Sequence, residues 1–204
     1  MKVIEGEPGP AQAYVLSGDG PRDIRVFKAI AEHHYDHDKQ LRCPQTPIRR
    51  RHRTGWGLSG VITALALCLR TTVKRYIILL DREHANAMQD FEKKLREHGF
   101  EILDKRELAD TAWYFKASSG GREAEIYVAL LGFEKRIEEN LAALIRLKYG
   151  NHVQPNKTAI NRWLREHRLN DAELIRKATK RELEQAFPSL TRILRELTKT
   201  QNNP

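Results

Sequence analysis

Two short acidic stretches stand where chemistry is easiest to build. Asp19 lies in the glycine loop Ser17-Gly18-Asp19-Gly20-Pro21 with Asp23 four residues on, and Asp81 and Glu83 close the apolar run Tyr76-Ile77-Ile78-Leu79-Leu80. If the strands feeding these loops are neighbours, four carboxylates face one small volume. Like charges that close raise one another's pKa values unless a cation compensates, and an all-oxygen donor set favours Mg²⁺ or Mn²⁺ over zinc. Asp19, Asp23, Asp81 and Glu83 are therefore the expected metal ligands. Either stretch alone reads as a turn or a helix cap; in this order they read as a site.

The elements around them form an α/β pattern. Ala13 to Leu16 is a short apolar run ending in the glycine loop, and Ile24, Phe27, Ile30 and Ala31 then recur at helical spacing. The polar, basic segment from Asp36 to Thr54 offers one weak strand around Ile48 or a long loop. Leu58, Val61, Ile62, Leu65 and Leu69 make a helical stripe, and the uninterrupted run from Tyr76 to Leu80 suits a strand buried on both faces. Met88, Phe91 and Leu95 mark a helix closed by Gly99, followed by a short strand from Phe100 to Leu103. This alternation predicts a mostly parallel sheet. Trp113 to Ala117 and Glu123 to Leu131, flanking Ser118-Ser119-Gly120-Gly121, predict a hairpin edge. A helix through Ile137, Leu141, Leu144 and Ile145 completes a domain over residues 1–150, and short helical patterns over 151–204 read as a basic helical appendage.

Other chemistries lack their parts. Neither Gly-x-x-x-x-Gly-Lys-Ser/Thr nor Gly-x-Gly-x-x-Gly occurs in the first loop, and no Gly-x-Ser-x-Gly elbow appears. Ser17 and Ser59 have no assignable His and Asp partners. His33, His34 and His37 with Asp36 and Asp38 are a rival metal cluster, because His33 and His37 share a helix face; without a third ligand they read as a solvated helix end. Cys43 and Cys68 are isolated, which excludes a disulfide scaffold and a four-thiolate zinc site.

Thirty-six Lys and Arg against 27 Asp and Glu give a net charge of +9 over 204 residues, which favours a polyanionic partner, nucleic acid first. The excess gathers at Arg49, Arg50, Arg51 and Arg53 and in the last quarter, where Lys157, Arg162 and Arg165 open the basic tail. These seven are the expected nucleic-acid-binding residues. Trp56 and Trp163 adjoin basic residues and are candidates for base stacking, although the helical spacing of Trp163 suits a core position better. The apolar runs are too short to span a bilayer, and no apolar leader opens the chain, so the expected location is cytoplasmic with no membrane partner. A homo-oligomer is left open.

The acidic stretches also carry a family resemblance. Asp19-Gly20-Pro21-Arg22-Asp23 after a strand resembles the Glu-Gly-x-x-Asp/Glu loop of the TOPRIM domain, and Leu79-Leu80-Asp81-Arg82-Glu83 resembles its Asp-x-Asp strand end. The likeness covers roughly Ala13 to Leu103 and is nearest to small nucleases of the overcoming-lysogenization-defect type. It implies a mostly parallel, Rossmann-like sheet flanked by helices, and catalytic roles for Asp19, Asp81 and Glu83, with Asp19 as metal ligand or general acid/base. The chain departs from the pattern twice, with Asp19 for the glutamate and Glu83 for the second aspartate. The expected activity is Mg²⁺- or Mn²⁺-dependent phosphodiester cleavage in DNA or RNA; the alternative is a TOPRIM-like nucleic-acid-binding module that no longer cleaves.

Overall fold

Every side chain from Tyr76 to Leu80 is fully buried, and successive ones enter different clusters: Ile77 and Leu79 one, Tyr76, Ile78 and Leu80 another. A strand with this pattern has to be covered on both faces. The computed structural model describes residues 1–35, 38–44, 57–85 and 87–199. In chain order its strands are β1 (Lys2–Gly6), β2 (Ala13–Ser17), β3 (Gln40–Pro44), β4 (Arg75–Asp81), β5 (Glu101–Ala109), β6 (Ala112–Ser119) and β7 (Arg122–Leu131). They form one sheet in the order β1-β3-β2-β4-β7-β6-β5. The first five in that order are parallel, and β7-β6-β5 is an antiparallel edge.

Helices cover both faces. On one lie α2 (Gly57–Cys68) and α3 (Met88–Glu97), whose Val61, Leu65, Phe91 and Leu95 pack with Tyr76, Ile78 and Phe115. On the other lie α1 (Pro21–His34), α4 (Ile137–Tyr149), α5 (Lys157–Glu166), α6 (Asp171–Lys177), α7 (Lys180–Ala186) and α8 (Pro188–Lys199). Phe27, Ile30, Leu141, Leu174, Leu190 and Leu194 there share one cluster with Ile77, Leu79 and Tyr127. Residues from 151 onward thus supply much of the cover on this face. Polar groups bind them to it as well: the Ser189 hydroxyl donates to the Leu130 carbonyl at 2.7 Å, and the Tyr35 hydroxyl to that of Thr191 at 3.1 Å. The change at residue 150 is one of composition, and the core continues across it.

The α/β class, the mostly parallel sheet and the hairpin edge agree with expectation. Two strands were not anticipated. β1 and β3 pair with each other at the far edge, and both are five-residue segments rich in polar side chains. The expected weak strand at Ile48 lies outside the described residues, and β3 forms nearer the start of that polar segment. The strand expected over Phe100–Leu103 runs on to Ala109, carrying charges on an edge that solvent reaches. Cys43 and Cys68 are buried in different clusters and form no disulfide with each other. No helix among the described residues is long and apolar enough to cross a membrane.

The strand order creates the site. β2 and β4 are parallel neighbours, yet β2 leads into α1 on one face and β4 into α3 on the other. The crevice between such strands, at their carboxyl ends, is where parallel sheets bind ligands.

Candidate active site

Gly18 lets three segments meet at the end of β2. A Cβ on it would lie 2.8 Å from Leu80 Cδ1 and 3.2 Å from the Gly57 carbonyl oxygen, so no larger residue fits. The Gly18 N–H donates to the Leu79 carbonyl at 2.9 Å, and the Gly57 N–H to that of Gly18 at 3.0 Å. Beyond it the Ser17 hydroxyl shapes the loop, accepting from the Gly20 N–H at 3.1 Å and donating to Asp23 Oδ2 at 2.8 Å. Ser17 is therefore the organiser of the acidic loop.

Asp19 then crosses to β4. Its Oδ2 accepts from the Asp81 backbone N–H at 2.8 Å, and its Oδ1 lies 2.5 Å from His84 Nε2. Asp81, 7% exposed, turns Oδ1 to the Ile137 N–H at 3.0 Å, in the first turn of α4. That contact exists because β7 pairs with β4 along its whole length, ending at Asp81 opposite Leu131. Gly132 then reverses the chain: at φ 89° a Cβ would sit 2.3 Å from the Arg136 nitrogen. The Asn140 side chain accepts from the Gly132 N–H at 2.6 Å, and Glu139 from the N–H groups of Phe133 and Glu134 at 2.7 and 2.6 Å, which fixes the loop against its helix.

These ends enclose a cavity of about 190 Å³ whose lining includes Asp19, Asp23, Asp81, Glu138, Arg22 and Lys157. Burial pushes the Asp81 carboxyl up to about 8; Asp23 and Asp19 push the same way, against the Ile137 N–H. Burial likewise raises Asp23, at 2% exposure, to about 7, with Asp19 and Glu138 adding to it and the Ser17 hydrogen bond opposing it. Clustered carboxylates raising one another is the behaviour their spacing predicted. Neither Asp23 nor Asp81 makes an ion pair among the described residues.

Three of the four expected metal ligands thus come together, and Glu83 stands apart. Strand alternation would have put Asp81 and Glu83 on one side, but β4 stops at Asp81 and Arg82–His84 form a single 3₁₀ turn. Glu83 is exposed and 3.3 Å from Arg136 Nη2. Its place at the cavity is taken by Glu138, which sequence reasoning missed because an acid in a first helical turn looks like an ordinary dipole partner. His84 was missed too; only its position three residues beyond Asp81 hinted at it.

The cationic groups divide by role. Arg22 is almost enclosed, pairing with Glu138 at 3.2 Å and bidentately with Asp171 at 2.8 and 3.1 Å, and donating to Asn161 Oδ1 at 2.9 Å. It links α1, α4, α5 and α6. Lys157 is exposed at the cavity and makes no ion pair among the described residues. Arg165 is exposed in an adjoining groove, whereas Arg162 is exposed and lines neither space. Arg49, Arg50, Arg51, Arg53 and Trp56 lie outside the described residues. Trp163 is buried and stacked on His167 at 3.9 Å, as a core position predicts. His34 Nε2 is hydrogen-bonded to the Ile175 carbonyl, while His37 of the rival cluster is outside the described residues.

A hard cation suits this donor set chemically, since the carboxylates are oxygen-only, crowded and short of positive charge. Their present spacing is less favourable: among the described residues no three His, Cys, Asp or Glu are gathered so as to hold a metal ion. The chain matches no protein-family model, no curated protein and no solved structure, so what it does has to be argued from this cavity.

Proposed function

We propose that the chain is a TOPRIM-like, divalent-cation-dependent nuclease acting on phosphodiester backbones. The observation that carries this is the meeting of Asp19, Asp23 and Asp81 in one cavity at the β2–β4 crevice, beside Lys157 and with no ion pair to Asp23 or Asp81 among the described residues. Asp81, Asp23 and Asp19 would hold Mg²⁺ or Mn²⁺, with Glu138 within reach of the same space. When bound, such a cation polarises a phosphoryl oxygen and lowers the pKa of an attacking water. The protein's own groups do the rest. Lys157 holds the backbone phosphate at the cavity rim, and the exposed arginines of α5 steer the polyanion toward it. Asp19 is the proton carrier, and its hydrogen bond to half-exposed His84 connects it to solvent.

A second reading has its own support. Asp19 and Asp81 already spend oxygens on backbone N–H groups, and Glu83 has turned to Arg136. A TOPRIM-like module that binds nucleic acid without cutting it would keep the positive surface and leave the carboxylates as loop ties. Incubation with labelled single- and double-stranded DNA and RNA, with Mn²⁺, Mg²⁺ or chelator, separates the two. Cleavage that needs a cation and Asp81 supports the nuclease. Binding without such cleavage supports the second reading, and absence of both ends each of them.

A further inference from the structure

Beside the acidic cavity runs a second depression of about 540 Å³ between α5 and α6, and the two share Arg25 and Asn161. Its size falls in the roughly 300–1,000 Å³ range of small-ligand sites. Its lining brings the apolar Leu164, Leu169 and Ala172 together with polar Thr158 and Asn170, and Arg25 and Arg165 line it as well. Arg165 pairs with no carboxylate among the described residues. Asp171, the acid in the lining, is already matched by Arg22 at 2.8 Å, with Arg25 at 3.8 Å. Apolar side chains, amide groups and guanidinium groups in one groove suit a planar, uncharged ring joined to a phosphate.

We propose that this groove receives the base of the nucleotide next to the phosphate held at the acidic cavity, so that the chain engages polynucleotides as single strands. The inference rests on the phosphodiester reading above for the place of that phosphate. The base lies over Leu164, Leu169 and Ala172 against an arginine plane, a surface that accepts any base. In a duplex the same base is stacked and paired, and freeing it costs a few kcal/mol. Paired substrates are therefore disfavoured unless frayed or gapped. Arg165 acts on the neighbouring backbone phosphate, and Lys157 on the one at the cavity.

The test is equilibrium binding of the full chain, in chelator so that no cleavage intervenes, to labelled eight-nucleotide DNA and RNA single strands. The same strands in blunt duplexes, and a single strand with one internal abasic position, complete the set. Single strands of either sugar should bind at least about tenfold more tightly than duplexes. Ala172→Trp, which fills the groove from a partly buried position, should erase that preference. Arg165→Ala should weaken single-strand binding and lower the salt slope by about one. If Ala172→Trp fails to fold, Arg165→Ala and the abasic strand carry the test. Equal binding of single strands and duplexes, or single-strand binding indifferent to Arg165 and to the abasic position, overturns the groove. Cation-dependent cleavage by the unaltered chain is measured in parallel. Cleavage with groove variants behaving as the unaltered chain means that only the groove proposal is wrong; an Arg165-dependent single-strand preference without cleavage means that only the nuclease reading is wrong.

Discussion

Glu92 on α3 and Asp81 at the end of β4 show what two carboxylates become in different surroundings. Glu92 has Arg96 at 2.9 Å and Lys105 at 2.5 Å, and hydrogen bonds from Lys105 and then Arg96 hold it below the usual glutamate range. Asp81 makes no ion pair among the described residues; it is buried beside Asp23 and Asp19, and it is pushed up to about 8. The chain has nine more basic than acidic charges, so the shortage at β4 is not one of supply. Among the described residues, basic side chains meet Glu92 but form no ion pair with Asp23 or Asp81. A fold optimised only for stability has no use for that omission, whereas a site that takes up a cation does.

The largest effect should come from Arg22, whose side chain is 11% exposed and spans Glu138 and Asp171. Arg22→Ala leaves nearly buried Glu138 without its partner and Asp171 with Arg25 at 3.8 Å, and should cost about 3–5 kcal/mol in denaturant unfolding. A loss under about 1 kcal/mol would show that α4 and α6 are held without it. Next is Asp81→Asn, which keeps an oxygen for the Ile137 N–H. It should reduce cation-dependent cleavage at least ~100-fold while leaving Tm unchanged or raised. Unaltered cleavage would make Asp81 a mere helix cap.

The pH dependence has a fixed sign. An unfolded aspartate titrates near 4, so from about pH 4 upward the folded chain holds protons on Asp81 and Asp23 that the unfolded chain has released. Stability without cation must then fall as pH rises, by up to about 1.4 kcal/mol per pH unit for each excess proton, and level off above about pH 8. Thermal unfolding in chelator at several pH values should show this, with a shallower fall in Asp81→Asn. A Tm that climbs from pH 6 to pH 8 would contradict the assigned environment. Smallest is Glu92→Gln, a solvated pair worth under about 1 kcal/mol, with no change in cleavage. If Glu92→Gln lowers cleavage, the contrast between the two carboxylates fails.

What could be seen in the sequence follows the same division. Strands buried on both faces announce themselves, as Tyr76 to Leu80 does, because every position must be apolar. β1 is the edge strand and β3 lies next to it, both are short and include Lys2, Gln40 and Arg42, and so they carried no pattern to recognise. Asp19, Asp23 and Asp81 were legible because each adjoins a strand end. Glu138 was not, since its approach depends on β7 lying beside β4, a pairing between residues about fifty positions apart. Glu83 misled because it follows Asp81 closely in the sequence, while β4 ends at Asp81 and the 3₁₀ turn of Arg82–His84 carries Glu83 away from the cavity. The reach of residues from 151 onward into the core was legible only as scattered apolar positions, whose partners Ile77, Leu79 and Tyr127 lie on other elements.

Calorimetric titration of the full chain with Mn²⁺ near pH 7.5, in two buffers of different ionisation enthalpy, tests the central claim most directly. Carboxyls raised to about 7 and 8 are partly protonated there, so a cation that binds them must expel protons. The expected result is one saturable site with a buffer-dependent heat corresponding to proton release, lost in Asp81→Asn and retained in Glu92→Gln. No binding, or binding that ignores Asp81 and releases no proton, would contradict a cation site at the β2–β4 crevice.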